Sequence, residues 1–108
     1  MTALSEHKVV GYLVSLHVAG EITVMDIVVS QEYRRKGIAK RLLAQLLSEA
    51  QIRQDEHIFL EVRASNTDAQ ALYTTLGFKV IDERKHYYPG VSNPDRKENA
   101  LIMQRSVT

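Results

Sequence analysis

Apolar residues recur along this chain with two different periods, and the switches between them mark out its elements. Residues Val9 to Val18 are rich in Val, Leu and Tyr, which suits a strand. Ala19-Gly20-Glu21 is a turn signal, and Ile22 to Val29 reads as a second strand, so the pair reads as a hairpin. Ile27, Val28 and Val29 are apolar in succession, which implies burial on both faces, as in a central strand. Ser30 to Lys36 is polar and basic. From Ile38 to about Arg53 the period changes. Ile38, Leu42, Leu43, Leu46, Leu47 and Ala50 recur at steps of three and four, predicting an amphipathic helix. Ile58 to Val62 is a short apolar run interrupted by Glu61, and reads as a buried strand. Ala69, Leu72, Tyr73 and Leu76 form a second helical stripe. Ser65 or Asn66 can cap it, Asp68 falls in its first turn and Gly77 can end it. Phe78 to Arg84 and Ala100 to Arg105 are further strands, joined through a loop holding Pro89, Gly90, Asn93 and Pro94. The order predicts an α/β fold: a mixed sheet of five to six strands with two main helices on its faces.

Composition narrows the function classes. The 108 residues allow one domain, 1–108. With 25% charged and 44% hydrophobic residues, the chain resembles neither a disordered tail nor a membrane protein. Its first residues have neither the basic start nor the apolar stretch of a signal peptide. No apolar run approaches the roughly 20 residues that span a bilayer, so no membrane partner is expected. The absence of cysteine removes disulfides, thiolate metal sites and a Cys nucleophile, and permits a reducing cytoplasm. A net charge of +1 argues against wholesale nucleic-acid binding. His7, His17, His57 and His86 show no metal-ligand spacing, so no metal is expected.

The stretch Arg34-Arg35-Lys36-Gly37-Ile38-Ala39 joins the second strand to the first helix. A helix N-terminus offers unpaired N–H groups and partial positive charge. Gly37 permits close approach to the backbone, and Arg34, Arg35, Lys36, Lys40 and Arg41 add cations. This is a candidate pyrophosphate site. The plainer alternative is a solvated basic turn before a surface helix.

Arg-x-x-Gly-x-Ala at 34–39 resembles the acyl-coenzyme-A loop of the GNAT N-acetyltransferases. The later run Leu60-Glu61-Val62-Arg63-x-x-Asn66-x-x-Ala69-x-x-Leu72-Tyr73-x-x-Leu76-Gly77-Phe78 is similar to that family's second signature. The tail, His86-Tyr87-Tyr88-Pro89 and then Glu98 to Met103, resembles the closing hairpin of the RimI type, the bacterial ribosomal-protein alanine N-acetyltransferases. The likeness runs from about Val9 to Met103. It implies the GNAT acyl-CoA N-acyltransferase fold, acetyl-CoA as co-substrate, and a protein N-terminal amine as acceptor, a ribosomal protein among the candidates. The implied reaction is direct attack of an amine on a thioester, which needs no acyl-enzyme.

That chemistry needs a base, oxyanion stabilisation and an acid for the thiolate. An α-amine has a pKa of roughly 7.7–8.0, so a modest base suffices. The resemblance places the base at Glu61, which interrupts a strand read as buried, where the charged form of a carboxylate is disfavoured. The alternatives are a Glu paired with Arg63 on the same strand face, or one exposed on a one-sided strand. Tyr73 matches the family's catalytic acid; spacing alone makes it a core residue. Asn66 matches the Asn that bonds the pantetheine side of the coenzyme, or it is a plain helix cap. Ile27, Val28 and Val29 contact the acetyl-pantetheine arm through their backbone in the family, where this strand splays from the Glu61 strand. The pyrophosphate falls to Arg34, Arg35, Lys36, Gly37, Ile38, Ala39 and Lys40. Tyr87 and Tyr88 fall where N-terminal acetyltransferases cover the acceptor, or else are packing aromatics of a surface turn.

The family opens with a strand and one or two helices that help build the acceptor groove. Here Met1 to Lys8 supplies a remnant of the next strand, Thr2 to Leu4, before a turn at Ser5-Glu6-His7, so one groove wall has no source in these residues. Without that cover, Val9 to Val18 reads as an apolar edge strand, which tends to pair. A homodimer through this strand or the last hairpin is expected. The competing functions are acetyl transfer to lysine, a polyamine or another small amine; a non-catalytic acetyl-CoA-binding module; and RNA stacking on the basic loop and tyrosines.

Overall fold

A computed structural model describes residues 1–5, 8–89 and 97–108, with the side chains of 86–89 and 97 outside the description. Six strands and two main helices follow in the order β1 (Thr2–Ser5), β2 (Lys8–Val18), β3 (Glu21–Val29), α1 (Ile38–Arg53), β4 (His57–Arg63), α2 (Thr67–Thr75), β5 (Lys79–Pro89) and β6 (Lys97–Ser106). This is the mixed α/β class that the two periodicities predict. The chain divides into two compact units, residues 1–58 with 107–108, and residues 59–106. Among the described residues no helix is long and apolar enough to cross a membrane.

In the first unit the strands lie in the order β1-β2-β3, each antiparallel to its neighbour. Ala19 and Gly20 both take positive φ, 51° and 81°, the geometry a tight two-residue hairpin turn demands. The helix α1 covers this sheet with Leu42, Leu43, Leu46 and Ala50, which are buried with Leu13 and Ile22. Its C-terminus closes on Gln54 in the left-handed region, where the Asp55 N–H reaches the Ala50 carbonyl at 2.9 Å.

Two expectations need correction here. The strand Val9 to Val18 is not a bare edge. Residues Thr2–Ser5 pair along its first half, Thr2 opposite Tyr12 and Ser5 opposite Lys8, and the Leu13 N–H donates to the Met1 carbonyl at 2.8 Å. The short N-terminal run suffices because ladder bonds need only backbone groups. Nor is the end of β3 buried on both faces: Ile27 and Val29 are half-buried and Val28 is 38% exposed. Consecutive apolar residues record compatibility with burial on two faces, and the helix α1 supplies cover from its own side only.

Gly11 controls how closely these layers approach. A Cβ there would lie 2.9 Å from the Val28 carbonyl oxygen and 3.3 Å from Cγ2 of Ile38, the first residue of α1. A glycine inside a strand marks such an approach.

In the second unit the strands lie in the order β4-β6-β5, with β5 and β6 antiparallel. Leu60, Val62, Phe78 and Met103 are buried. The helix α2 ends at Gly77, whose φ of 90° takes the chain into β5.

Replacing Gly11 by Ala forces backbone to move, and is expected to lower stability by about 1–3 kcal/mol. Urea unfolding read by circular dichroism checks the loss; an unchanged midpoint would show that the strands have room.

Candidate active site

The first unit carries the basic loop. A single 3-10 turn, Gln31–Tyr33, leads from β3 towards α1. The Arg34 Nε–H donates to the Val29 carbonyl at 3.3 Å, and the Lys36 ammonium lies 5.2 Å over the Tyr33 ring. These contacts fold the loop back on its own strand. Arg35 has a φ of 62°, and Gly37 caps α1 with φ 77° and ψ 14°. Gly37 offers no capping side chain, and the first turn holds no acidic residue. The helix ladder begins where the Arg41 N–H meets the Gly37 carbonyl at 3.0 Å. The N–H groups of Ile38, Ala39 and Lys40 precede that bond, so they lack helix partners and point out of the N-terminus. Arg34, Arg35, Lys36 and Lys40 are exposed around them. A Cβ at Gly37 would meet nothing within 4 Å. Bare amides, added cations and open space suit a diphosphate.

The second unit carries the candidate chemistry. The strand β4 alternates, with Ile58, Leu60 and Val62 buried while Glu61 faces the other way. The burial argued for Glu61 therefore fails. It is exposed on a face whose other members, His57, Phe59 and Arg63, are half-buried, and its carboxylate lies 3.5 Å from the Arg84 guanidinium of β5. Period-2 alternation explains this: the interruption in the apolar run falls on the less covered face of the strand. The Arg63 guanidinium meets Glu98 at 3.4 Å. The same Glu98 carboxylate accepts the Ser65 N–H at 2.5 Å. Hydrogen bonds from Ser65, with Arg63 beside it, hold Glu98 below the usual carboxylate range.

Asn66 is the cap of α2, its Oδ1 accepting the Ala69 N–H at 3.2 Å. Gln70 donates to the Arg63 and Ala64 carbonyls at 3.0 and 2.9 Å. It ties α2 to the end of β4 and fixes Asn66 and Tyr73 on the same scaffold as Glu61. Tyr73 is buried at 8% exposure, its ring tilted 59° to Phe78 at 6.1 Å. Burial raises its phenol above the ordinary 10.0. The side chains of Tyr87 and Tyr88 lie outside the described residues. No group of three or more His, Cys, Asp or Glu able to hold a metal occurs among the described residues.

Comparison with known proteins settles the family. The model described as the acetyltransferase (GNAT) family matches residues 1–78. The chain belongs to the GNAT family. It is 38% identical over 96 residues to the ribosomal protein bS18-alanine N-acetyltransferase of Escherichia coli, covering 89% of this chain and 63% of that relative. A crystal structure of the ribosomal-protein-S18-alanine N-acetyltransferase from Escherichia coli superposes with a TM-score of 0.91 at 35% identity, covering 97% of this chain and 66% of that one. A putative streptothricin acetyltransferase from Bacillus anthracis, solved with acetyl coenzyme A, gives 0.81 at 26% identity over 97% of this chain and 60% of that one. This GNAT chain thus spans about 63% of the length of the curated relative it matches.

Arg84, Glu98 and Gln70 do not stand out in the GNAT sequence as site residues. Each works through a partner on a different element, and no spacing rule connects strands whose register is unknown. Gly11 alone left a signal, an isolated glycine inside an apolar strand.

Gly37→Val is expected to weaken acetyl-CoA binding at least tenfold, because the side chain would enter the space before the bare amides and its backbone would be strained by about 1 kcal/mol or more. Calorimetry measures the affinity, with thermal melting to confirm folding. Unchanged affinity would remove the loop from the coenzyme site.

Proposed function

We propose that this chain forms a single domain that transfers acetyl from acetyl-CoA to a protein N-terminal α-amine, with a ribosomal-protein alanine as the favoured acceptor. The observation that carries the reading is the α1 N-terminus, uncapped behind a left-handed glycine and ringed by cations, in a chain of the GNAT family. The similarity to bS18-alanine N-acetyltransferases favours the acceptor class, and the relative solved with acetyl coenzyme A favours the co-substrate.

In this mechanism the bare amides of Ile38, Ala39 and Lys40, with Arg34, Arg35 and Lys36, hold the pyrophosphate. The backbone of Ile27 to Val29 lines the pantetheine arm, which accounts for apolar residues left half-exposed there. Asn66 bonds the same arm. Glu61 accepts the proton of the attacking amine, directly or through water. The amine nitrogen bonds to the thioester carbonyl carbon, and a backbone N–H of β3 receives the developing oxyanion. The carbon–sulfur bond then breaks and the thiolate takes a proton from Tyr73, which solvent restores. The raised phenol keeps that proton available through the neutral range. Tyr87 and Tyr88 cover the acceptor peptide. The cysteine-free composition suits a reducing cytoplasm. Val14, Leu16 and Val18, 48–60% exposed beyond the reach of β1, support a second copy of the chain as partner. Sedimentation showing only monomer into the millimolar range would exclude that dimer.

Mass spectrometry of a peptide library with acetyl-CoA tests the reaction. Acetyl groups are expected on the α-amines of alanine-initiated peptides. Modification confined to lysine or small amines would change the acceptor class, and binding without turnover would leave a coenzyme-binding module.

Glu61→Gln is expected to lower kcat by about 10²-fold or more with acetyl-CoA affinity little changed; equal rates would reject Glu61 as the base. Tyr73→Phe keeps the ring against Phe78 and is expected to cost about tenfold or more in kcat. In the wild type the alkaline loss of activity due to Tyr73 is expected above pH 10.0, since its folded pKa is raised from that value. A pH–rate profile in which Tyr73→Phe leaves the alkaline limb unchanged would remove the acid role.

A further inference from the structure

Beneath β1 the first unit contains a cavity of about 490 Å³, bounded by the first two turns of α1. Ligand pockets run to roughly 300–1,000 Å³. The helix lines it with Ile38, Arg41, Leu42 and Gln45, the i, i+3, i+4, i+7 positions of a single face. Buried Val10 and Leu42 give it an apolar wall. Ser5 and Gln45 add neutral polar groups. At its edge stand Lys36 and Arg41, both exposed, and no carboxylate occurs among its described lining residues. The contact with the Tyr33 ring keeps Lys36 at this edge. β1 and Gln45 have no part in the acetyl transfer above, whereas Lys36 and Ile38 also belong to the coenzyme loop.

A free inorganic anion would leave the apolar wall wet, and a neutral apolar molecule would leave two cations uncompensated. We infer that this cavity, which adjoins the coenzyme loop at Lys36 and Ile38, binds a small organic anion with an apolar body.

Naphthalene sulfonate is a suitable probe, with neutral naphthalene methanol as its control. Amide shifts of the isotope-labelled chain report where each binds. Saturable shifts at Ala3, Leu4 and Gln45 are expected, with the alcohol binding roughly tenfold more weakly. Arg41→Glu is expected to weaken the sulfonate roughly tenfold, and Gln45→Glu provides the same readout should the first variant fail to fold. Shifts gathered instead on the exposed strand residues Leu16, Val18 and Met25 would overturn the site, as would equal affinity for sulfonate and alcohol. Sulfonate shifts that appear at Gly37 and Ala39 but not at Ala3 and Leu4 would also overturn the site. Failure of the chain to bind acetyl-CoA, with the sulfonate still bound here, would count against the acetyl-transfer reading alone.

Discussion

The absence of one methyl group at Gly11 sets the position of the α1 N-terminus. The Val28 carbonyl and the Ile38 side chain occupy the space a Cβ would need, 2.9 and 3.3 Å away. The start of the helix is thereby seated against the strand that leads into the basic loop. The loop then folds back through Arg34 on Val29. Gly37 turns the chain into the helix without supplying a capping oxygen, so the first amides stay available. A capping side chain at that point would occupy one of the donors a phosphate requires. Helix capping and anion binding compete for the same N–H groups, and here no side chain caps them.

The second unit uses the opposite device. There the helix N-terminus is capped by Asn66, and the turn before it is held by Glu98 through Ser65 and Arg63. Polar bonds between β4, β6 and α2 fix the turn that carries Asn66, while Tyr73 is held by packing against Phe78. Glu61 stands apart from this lattice, on the exposed face with Arg84. In the proposed reaction the exposure of Glu61 gives an amine access to it, and burial keeps Tyr73 protonated.

What the sequence determined by itself was local. Both helices and the strand runs followed from period 3.6 and period 2. The α1 bounds Ile38 to Arg53, the Asn66 cap, the Ala19-Gly20 turn and the Gly37 loop are each written within a few consecutive residues. Backbone conformation responds to near neighbours, and motif residues fall within such windows. The tertiary structure decided which faces are covered and which charges meet. Val28 proved exposed although apolar, Glu61 met Arg84 on β5, and Arg63 met Glu98, 35 residues away. The register of β5 against β6 slips between Val80 and Asp82, so strand assignment alone does not place Arg84. A side chain's cover and its counter-charge come from residues remote in the chain. Pattern along one strand reports its own two faces and not what lies against them.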